Sequence, residues 1–415
     1  MSLLQRFAER GVRATFRSLR DGCLVVHDGN STERYGDPNA EPVEITVHDA
    51  RFYAAIAFDG HLGSGESYAM GWWSASDLTG VVRLMLRNRA TLEALETGWA
   101  RLLKPVRWLA HARHRNTRDG SRRNISAHYD LSNEFFQLFL DETMTYSCGI
   151  FERPDASLRD ASIAKYEHMA ALMELGSQHH VLEIGTGWGG FAIHAAREYG
   201  CKVTTTTIST QQFDLATQRV REARLEDRIT VIKQDYRDLT GSYDRLVSIE
   251  MIEAVGHEYY GTFFEKCASL LAPGGRMALQ AITIEDHRYE ATRREVDFIK
   301  KYIFPGSNIP SVTALCMAAS KTELRLVQAN EIGLHYAETL RRWRIAFAEN
   351  IEHIRALGFD DNFMRLWEFY FCYCEGGFLE GAIGDVQIAF TKPLAVATVP
   401  HWQPRRVSEK SGAAA

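Results

Sequence analysis

Residues 181–190 read Val-Leu-Glu-Ile-Gly-Thr-Gly-Trp-Gly-Gly. In this run, a short apolar strand with an acidic residue near its end leads into the alternating glycines Gly185, Gly187 and Gly189. A helix then begins near Phe191. Glycine lets the backbone turn tightly and lets a ligand approach closely, because no Cβ intervenes. The first turn of the helix directs unpaired N–H groups to the same place. The run therefore predicts a ligand site at a strand-to-helix turn.

The chain beyond this run alternates between strand-like and helical patterns. Such alternation favours right-handed βαβ units and a parallel, doubly wound sheet. The predicted strands are Lys202–Ile208, Ile229–Asp235, Tyr243–Glu250 and Arg276–Ile284, and the predicted helices are Gln211–Arg224 and Glu258–Leu271. Ligands bind beyond the carboxyl ends of the strands in sheets of this kind. We therefore expect functional residues in the segments Glu183–Gly189, Thr207–Gln212, Asp235–Arg237, Glu250–Glu253 and Gln280–Ile282.

Two nucleotide-binding patterns overlap in the glycine run. Through Gly190 the run satisfies G-x-G-x-x-G, the dinucleotide fingerprint. That fingerprint expects an Asp or Glu at the end of the next strand, about 20 residues on, to bind a ribose. No such residue ends the next predicted strand. The fuller pattern, E-x-G-x-G-x-G, resembles the first motif of class I S-adenosylmethionine (SAM) methyltransferases. This resemblance implies an α/β fold with a Rossmann-like, seven-stranded, mostly parallel sheet.

Length and composition narrow the class of protein. A chain of 415 residues suits two domains, and a hydrophobic fraction of 45% is enough for a large core. The net charge of −5 provides no basic field that would attract nucleic acid. No stretch approaches the ~20 apolar residues of a membrane span, and residues 1–20 lack the apolar core of a secretion signal. Seven cysteines at irregular spacing fit a reducing compartment and predict no metal site.

We expect the chain to divide into four segments. These are a smaller, candidate lipid-binding N-terminal domain at 1–110, a basic linker at 111–125, a catalytic methyltransferase domain at 126–398 and a disordered tail at 403–415. In the N-terminal domain we predict strands at Cys23–His27, Val43–Val47 and Ala54–Phe58 and a helix at Val81–Leu103.

A strongly basic stretch lies at the divide between the two domains. Eight arginines and lysines fall between residues 101 and 123, opposed by Asp119 alone, with apolar residues interleaved among them. A solvated linker and a surface that meets anionic lipid both fit this pattern. In the second case each cation contributes on the order of 1 kcal/mol to membrane binding.

Four further motifs point to a substrate class. They are His-Tyr-Asp-Leu-Ser-Asn-Glu-Phe-Phe at 128–136, Met-Thr-Tyr-Ser-Cys-Gly-Ile-Phe at 144–151, Lys-Lys-Tyr-Ile-Phe-Pro at 300–305 and Cys-Glu-Gly-Gly-Phe at 374–378. In this order and at this spacing they resemble the cyclopropane-fatty-acyl-phospholipid synthase family, which includes the mycolic acid methyltransferases. The resemblance covers roughly residues 120–395.

This resemblance implies which residues contact SAM. The second predicted strand ends without a carboxylate, so the amide of Gln212 is expected to bind the ribose. A solvent-facing position on the helix is the alternative for this residue. The expected SAM contacts are Tyr146, Ser147, Glu183, Gly185, Thr186, Gly187, Gly189, Thr207, Ile208, Gln212, Asp235, Tyr236 and Arg237.

The resemblance also implies a small anion, taken to be bicarbonate, beside the methyl donor. Glu253 next to an anion is a like-charge clash unless one partner holds a proton, so we expect Glu253 to orient the bicarbonate hydroxyl. Gln280 can donate a hydrogen bond but cannot titrate, and so is not expected to move the proton itself. The expected anion contacts are Cys148, Glu253, Gln280, Tyr336 and the backbone of Ile282.

One cysteine has a separate implied role. Cys374 matches the residue that the family marks as active. Alkylation of an alkene by a sulfonium requires no covalent enzyme nucleophile, so the chemistry itself gives Cys374 less weight than the anion site.

The implied reaction is SAM-dependent transfer of a methylene or methyl carbon to the double bond of an unsaturated fatty acyl chain in membrane phospholipid. The double bond attacks the methyl group, a carbocation develops on the chain, and bound bicarbonate removes a proton as a general base. Ring closure then gives a cyclopropane. Two alternatives stay open: C-methylation to a methylene or methyl-alkene precursor of methyl-branched or furan fatty acids, and methylation of a soluble small molecule.

The expected partners follow from this reaction. They are unsaturated phospholipid acyl chains at the membrane surface, and nucleic acid is not among them. We expect a cytoplasmic protein, peripheral on the inner face of the cytoplasmic membrane. The resemblance suggests a homodimer, and a methyl-branched product would add a reductase as a partner.

Overall fold

This computed structural model describes residues 3–95 and 131–394. These residues form eleven strands in two sheets. The strands are β1 (Cys23–Asp28), β2 (Ser31–Gly36), β3 (Pro42–Val47), β4 (Trp73–Ala75), β5 (His180–Ile184), β6 (Lys202–Thr207), β7 (Ile229–Lys233), β8 (Tyr243–Ile249), β9 (Leu271–Ile284), β10 (Arg325–Glu331) and β11 (Ile383–Thr391). The predicted linker at 111–125 and tail at 403–415 lie outside the described residues.

The larger sheet has seven strands in the order β10-β11-β9-β8-β5-β6-β7. The pairs from β9 to β7 are parallel, whereas β11 is antiparallel to both of its neighbours. The predicted α/β fold with a seven-stranded, mostly parallel sheet is therefore confirmed. Strand β9 begins at Leu271, earlier than predicted, because the chain through Pro273, Gly274 and Gly275 already belongs to the strand.

Helices cover both faces of this sheet and connect its strands. Several of their first turns are capped by serine, as in the helix that starts at Leu158, where Ser157 and Asp160 form a reciprocal capping box. The helices are α1 (Leu3–Phe16), α2 (Arg51–Ala69), α3 (Leu78–Arg87), α4 (Arg89–Leu95), α5 (Asn133–Gln137), α6 (Leu158–Leu172), α7 (Gly190–Tyr199), α8 (Thr210–Glu222), α9 (Tyr260–Leu270), α10 (Asp286–Thr292), α11 (Val312–Ala319), α12 (Gly333–Glu349), α13 (Ile351–Ala356) and α14 (Asp361–Leu379).

The smaller sheet, in the order β2-β1-β3-β4, belongs to the N-terminal segment. The predicted strands at Cys23–His27 and Val43–Val47 are confirmed as β1 and β3. The strand predicted at Ala54–Phe58 is wrong, because these residues lie inside α2. Their alanines favour helix, and Asp49 accepts a hydrogen bond from the backbone N–H of Arg51 where that helix begins.

The predicted helix at Val81–Leu103 is two helices, α3 and α4, up to residue 95, beyond which the chain is outside the described range. The N-terminal segment also shares one continuous apolar core with the catalytic segment, in which Leu62 and Tyr68 are buried together with Trp367 of α14. At the edge of this contact, Glu380 accepts hydrogen bonds from Arg83 at 2.6 Å and from Arg87 at 2.8 Å.

An aromatic cluster joins α5, α12 and α14 beneath the site. Its centre is the fully buried Phe135, whose ring packs against those of Phe136, Phe139, Phe347, Phe359, Phe363 and Trp367. The ring of Phe136 in turn lies 5.3 Å from that of Tyr146 and 5.0 Å from that of Trp188. The cluster therefore fixes two segments that carry predicted SAM contacts. No helix among residues 3–95 and 131–394 is long and apolar enough to cross a bilayer.

We predict that Phe135→Ala lowers the free energy of unfolding by about 3–5 kcal/mol, because it removes the central ring of a closely packed cluster. Urea unfolding followed by tryptophan fluorescence measures the change. The control is Phe7→Ala, since Phe7 is 73% exposed, and a surface substitution of this kind changes stability by less than about 0.5 kcal/mol. Equal losses in the two variants would contradict the assignment of Phe135 to the core.

Candidate active site

A cavity of about 180 Å³ opens at the carboxyl ends of β5, β6 and β8. Its position agrees with the rule that ligands bind at this edge of a parallel sheet. Except for Gly189, every residue predicted to contact SAM lines it. These lining residues are Tyr146, Ser147, Glu183, Gly185, Thr186, Gly187, Thr207, Ile208, Gln212, Asp235, Tyr236 and Arg237.

The glycine run forms the turn that the sequence predicts. Gly185 has a φ of 105°, and a Cβ added there would lie 3.2 Å from the side chain of Met251. Gly189, with a φ of 84°, stands immediately before the first residue of α7 and ends the turn rather than lining the cavity. The backbone N–H groups of Gly185 and Thr186 both donate to the carbonyl of Thr206, which joins the turn to β6.

Glu183 lies at the floor of the cavity, on β5. Its carboxylate accepts a hydrogen bond of 2.6 Å from the hydroxyl of Thr205 on the neighbouring strand. The side chain is almost completely buried, and burial raises the pKa of Glu183 to about 8. A cationic ligand group bound beside Glu183 would favour the ionised form of this carboxyl.

Two neighbouring strand ends complete the lining. Gln212 is 7% exposed, and its amide oxygen accepts a hydrogen bond of 2.8 Å from the hydroxyl of Thr207. It therefore faces the cavity and not the solvent. After β7, Asp235 accepts hydrogen bonds from Nε and Nη2 of Arg237 at 2.8 and 2.6 Å. This ion pair holds the Asp235 carboxylate in one orientation at the cavity wall.

Sequence reasoning missed Lys165, which also lines the cavity. This residue of α6 is 1% exposed, and its ammonium donates a hydrogen bond of 2.6 Å to the hydroxyl of Ser147. Burial lowers the pKa of Lys165. One lysine in a helix that otherwise alternates polar and apolar residues carries no motif, so only the fold reveals its position.

Glu250, which lies in a predicted functional segment but was given no role from the sequence, stands at the centre of the predicted anion site. It directly follows β8 and lines the cavity. Its Oε1 accepts hydrogen bonds from the backbone N–H of Cys148 at 2.9 Å and from Nε2 of Gln280 at 2.7 Å, and its Oε2 accepts one from the hydroxyl of Tyr336 at 2.7 Å. Three residues predicted to hold bicarbonate thus converge, but on a carboxylate of the protein itself.

The remaining two predicted anion contacts bind each other. The backbone N–H of Ile282 donates a hydrogen bond of 2.6 Å to Oε1 of Glu253. The other oxygen, Oε2, is buried and has no hydrogen-bond partner among the described residues. Burial, together with repulsion from Glu250, raises the pKa of Glu253 to about 8. As the side chains stand, the donors assigned to bicarbonate are engaged by Glu250 and Glu253, so a bicarbonate ion does not fit between them.

A third carboxyl group lies behind this pair. Asp385 of β11 is fully buried, and its Oδ2 accepts a 3.3 Å hydrogen bond from Nε2 of Gln280. Burial and the neighbouring charge of Glu250 raise the pKa of Asp385 well above its usual range. This shift favours the protonated form of Asp385, and three donors surround the carboxyl group of Glu250.

Cys374 lies apart from these groups. It belongs to α14, is partly buried against the apolar core and is not among the cavity-lining residues. Burial raises the pKa of its thiol, which disfavours the thiolate that a nucleophile requires. Its role stays a prediction. Within residues 3–95 and 131–394, no group of three or more histidines, cysteines and acidic residues is placed to hold a metal ion.

Comparison with known proteins places this site in a family. The family model described as mycolic acid cyclopropane synthetase matches residues 116–388. The chain belongs to this family. It is 42% identical over 375 residues to a tuberculostearic acid methyltransferase of Mycobacterium tuberculosis, covering 88% of this chain and 86% of that protein. It is 32% identical over 354 residues to the cyclopropane-fatty-acyl-phospholipid synthase of Escherichia coli, covering 85% and 88%.

A solved structure supports the same family and its co-substrate. The crystal structure of mycolic acid cyclopropane synthase CmaA1 complexed with SAH and CTAB superposes with a TM-score of 0.62 at 32% identity, covering 65% of this chain and 98% of that one. The protein is therefore a SAM-dependent methyltransferase of the cyclopropane and mycolic acid synthase family, whose members act on fatty acyl or mycolic acid chains. The lining suits SAM, because the glycine turn leaves room beside a buried carboxyl, Glu183, and a buried amide, Gln212.

We predict that Gly185→Ala weakens SAM binding by about tenfold or more, equal to about 1.4 kcal/mol, because the new Cβ disturbs the turn at the cavity wall. Isothermal titration calorimetry measures the affinity. Gly200→Ala is the matched control: Gly200 also has a positive φ, of 67°, but it ends α7 outside the cavity. Each substitution strains a left-handed residue by ~1–2 kcal/mol, so a similar loss of affinity in both variants would assign the effect to general destabilisation.

We predict that the free energy of unfolding falls as the pH rises from about 4.5 to 8. Glu183 and Glu253 each have a pKa of about 8 in the folded protein, so the folded state retains protons that the unfolded state releases. This stabilisation is complete below the unfolded pKa and is lost as the pH passes through the folded pKa, at up to about 1.4 kcal/mol per pH unit for each carboxyl.

Urea unfolding at a series of pH values measures this slope. Glu183→Gln and Glu253→Gln should each flatten it, whereas the control Glu226→Gln, at an exposed position, should retain the slope of the parent. An unchanged slope in both buried variants would show that these carboxyls ionise as freely in the folded protein as in the unfolded chain.

Proposed function

We propose that this protein transfers a methyl carbon from SAM to the double bond of an unsaturated fatty acyl chain in phospholipid and leaves a methylene-substituted chain. The observation that carries this proposal is the 42% identity, over 88% of the chain, to a tuberculostearic acid methyltransferase. A cyclopropane product is the second candidate, favoured by the 32% identity to the phospholipid synthase of Escherichia coli. Both products arise from the same first step.

In that first step, the electron pair of the double bond forms a bond to the methyl carbon that SAM supplies when bound. One chain carbon gains the methyl group, and its neighbour becomes a carbocation. For the methylene product, a hydride moves from the methylated carbon to the cation, and the methyl group then loses a proton to give an exocyclic double bond. For the cyclopropane, the methyl proton leaves without the hydride shift and the ring closes. Each route requires one base and releases one proton.

The cavity has the properties that such a cation needs. It is walled by aromatic side chains, and Tyr146 lies among the rings of Phe136, Trp343 and Phe304. The hydroxyl of Tyr146 is turned toward that of Tyr370, at 3.1 Å. The aromatic wall excludes water that would otherwise capture the cation. A ring face at this position stabilises a desolvated cation by up to ~2 kcal/mol.

A lipid substrate has consequences for the location of the protein and for its partners. Access to phospholipid acyl chains calls for a peripheral location on the inner face of the cytoplasmic membrane, for which the basic stretch between residues 101 and 123 provides charge complementarity. A methylene-substituted chain becomes methyl-branched only when a hydride is added, so this product calls for a reductase as a partner. We also propose that the protein forms a homodimer, as the family resemblance suggests.

The test uses SAM that carries a deuterated methyl group, the purified protein and vesicles of monounsaturated phospholipid. We expect acyl chains that gain a carbon with two deuterium atoms, and NMR signals of an exocyclic methylene group. Ring signals with the same mass would replace the leading candidate with the cyclopropane, and retention of three deuterium atoms would indicate proton loss from the chain. Vesicles of saturated phospholipid are the control. Unlabelled lipid despite intact SAM binding would contradict an acyl substrate.

A further inference from the structure

We propose that Glu250 is the catalytic base of this enzyme and that its carboxylate replaces the bound bicarbonate that the family resemblance implies. This inference rests on the proposed function, since it assigns the group that accepts the proton from the methylated acyl cation. A carboxylate and a bicarbonate ion have the same planar O–C–O group, so a cage built for one can hold the other.

The cage around Glu250 comes from three separate segments. The backbone N–H of Cys148 belongs to the loop before α6, Gln280 to β9 and Tyr336 to α12. All three donate to the Glu250 carboxylate at 2.7–2.9 Å. An ionised carboxylate that loses its water is stable in a protein only with such donors. The donors therefore hold the Glu250 carboxylate in one orientation at the wall of the cavity.

The backbone of Glu250 supports a functional assignment. Its φ is 48°, in the left-handed region that side chains other than glycine rarely adopt. Such a conformation is strained and persists where surrounding contacts fix it, often at active sites. Here the backbone N–H of Glu250 donates to the carbonyl of Gln280 at 2.9 Å. The strained residue is thus fixed by its main chain as well as by its carboxylate.

Several titratable side chains interact electrostatically with Glu250. The buried ammonium of Lys165 interacts electrostatically with Glu250. It also donates a hydrogen bond to the hydroxyl of Ser147, the residue before Cys148. Asp385 and Glu253 approach the same carboxylate. In the proton transfer, a C–H bond of the transferred methyl group breaks, and its electron pair forms the π bond of the exocyclic methylene group or, for the cyclopropane, the bond that closes the ring. The proton passes to an oxygen of Glu250, which becomes a neutral carboxylic acid and later releases the proton to solvent.

The first test is the dependence of turnover on bicarbonate. Release of S-adenosylhomocysteine and labelled lipid product are measured in buffer freed of carbon dioxide and again with added bicarbonate. We expect the unmodified protein to be equally active in both. Glu250→Gln should reduce turnover by about 100-fold or more, the usual contribution of a general base, while SAM affinity by calorimetry and the unfolding midpoint stay close to those of the parent.

The decisive variant is Glu250→Gly. Glycine adopts a φ of 48° without strain, so the fold is retained, and loss of the side chain opens the cage. We expect this variant to be nearly inactive in carbon dioxide-free buffer and to recover activity when bicarbonate is added. NMR of ¹³C-labelled bicarbonate should detect binding to Glu250→Gly and not to the parent. The matched control is Glu174→Gly, because Glu174 is another glutamate with a positive φ, of 49°, and its side chain pairs with Arg276 outside the cavity.

The outcomes separate this inference from the proposed function. If the parent forms less product when bicarbonate is removed, the assignment of Glu250 is overturned and the lipid reaction stays in place. Full activity of Glu250→Gln would do the same. Absence of lipid product from the parent under every condition would overturn the proposed function and, with it, the role of Glu250. Bicarbonate-dependent recovery of Glu250→Gly supports both.

Discussion

The partly buried carboxylate of Glu250 is the constraint on which the site depends. A carboxylate that loses part of its hydration needs hydrogen-bond donors in place of water, and those donors come from the loop at Cys148, the strand at Gln280 and the helix at Tyr336. One side chain thus ties the centre of the large sheet to the helical layer that covers it. The cavity for the methyl donor lies against the same carboxylate, so cofactor binding and proton removal share one wall.

The cofactor cavity and the carboxylate cluster lie side by side at one edge of the large sheet. The glycine turn after β5 and the residues after β6 and β7 line the cavity, and Glu250 and Glu253 after β8 bind Gln280 and Ile282 of β9. Because neighbouring parallel strands end at the same edge of the sheet, the two groups of residues are adjacent. A base fixed at the wall of this cavity removes a proton from a fixed direction. The position of that base relative to the cation then decides whether a ring or a double bond forms.

Much of the fold and of the cofactor site could be predicted from the sequence because the signals are local. The glycine run, the spacing of strands and helices, and short motifs such as Asp235–Arg237 each lie within a few residues, and the structure brings them to one cavity. The misread segment Ala54–Phe58 is apolar and short, a pattern that a strand and a buried helix share. In the structure its alanines continue α2.

The geometry of the anion site could not be predicted from the sequence, because it depends on contacts between distant segments. Sequence reasoning selected Cys148, Gln280 and Tyr336 correctly as neighbours, yet it assigned their donors to an external ion. Glu250 was visible at the carboxyl end of a predicted strand, but nothing local distinguishes it from Glu253. Lys165 had no signal at all. Only the convergence of three donors on one carboxylate identifies Glu250 as the central group.

The most direct test is a crystal structure of the protein with S-adenosylhomocysteine, grown in buffer that contains bicarbonate. We predict that the Glu250 carboxylate accepts hydrogen bonds from the Cys148 N–H, the Gln280 amide and the Tyr336 hydroxyl, with no separate anion between them. Electron density for bicarbonate on these three donors, with the Glu250 side chain turned away, would contradict the role assigned to Glu250.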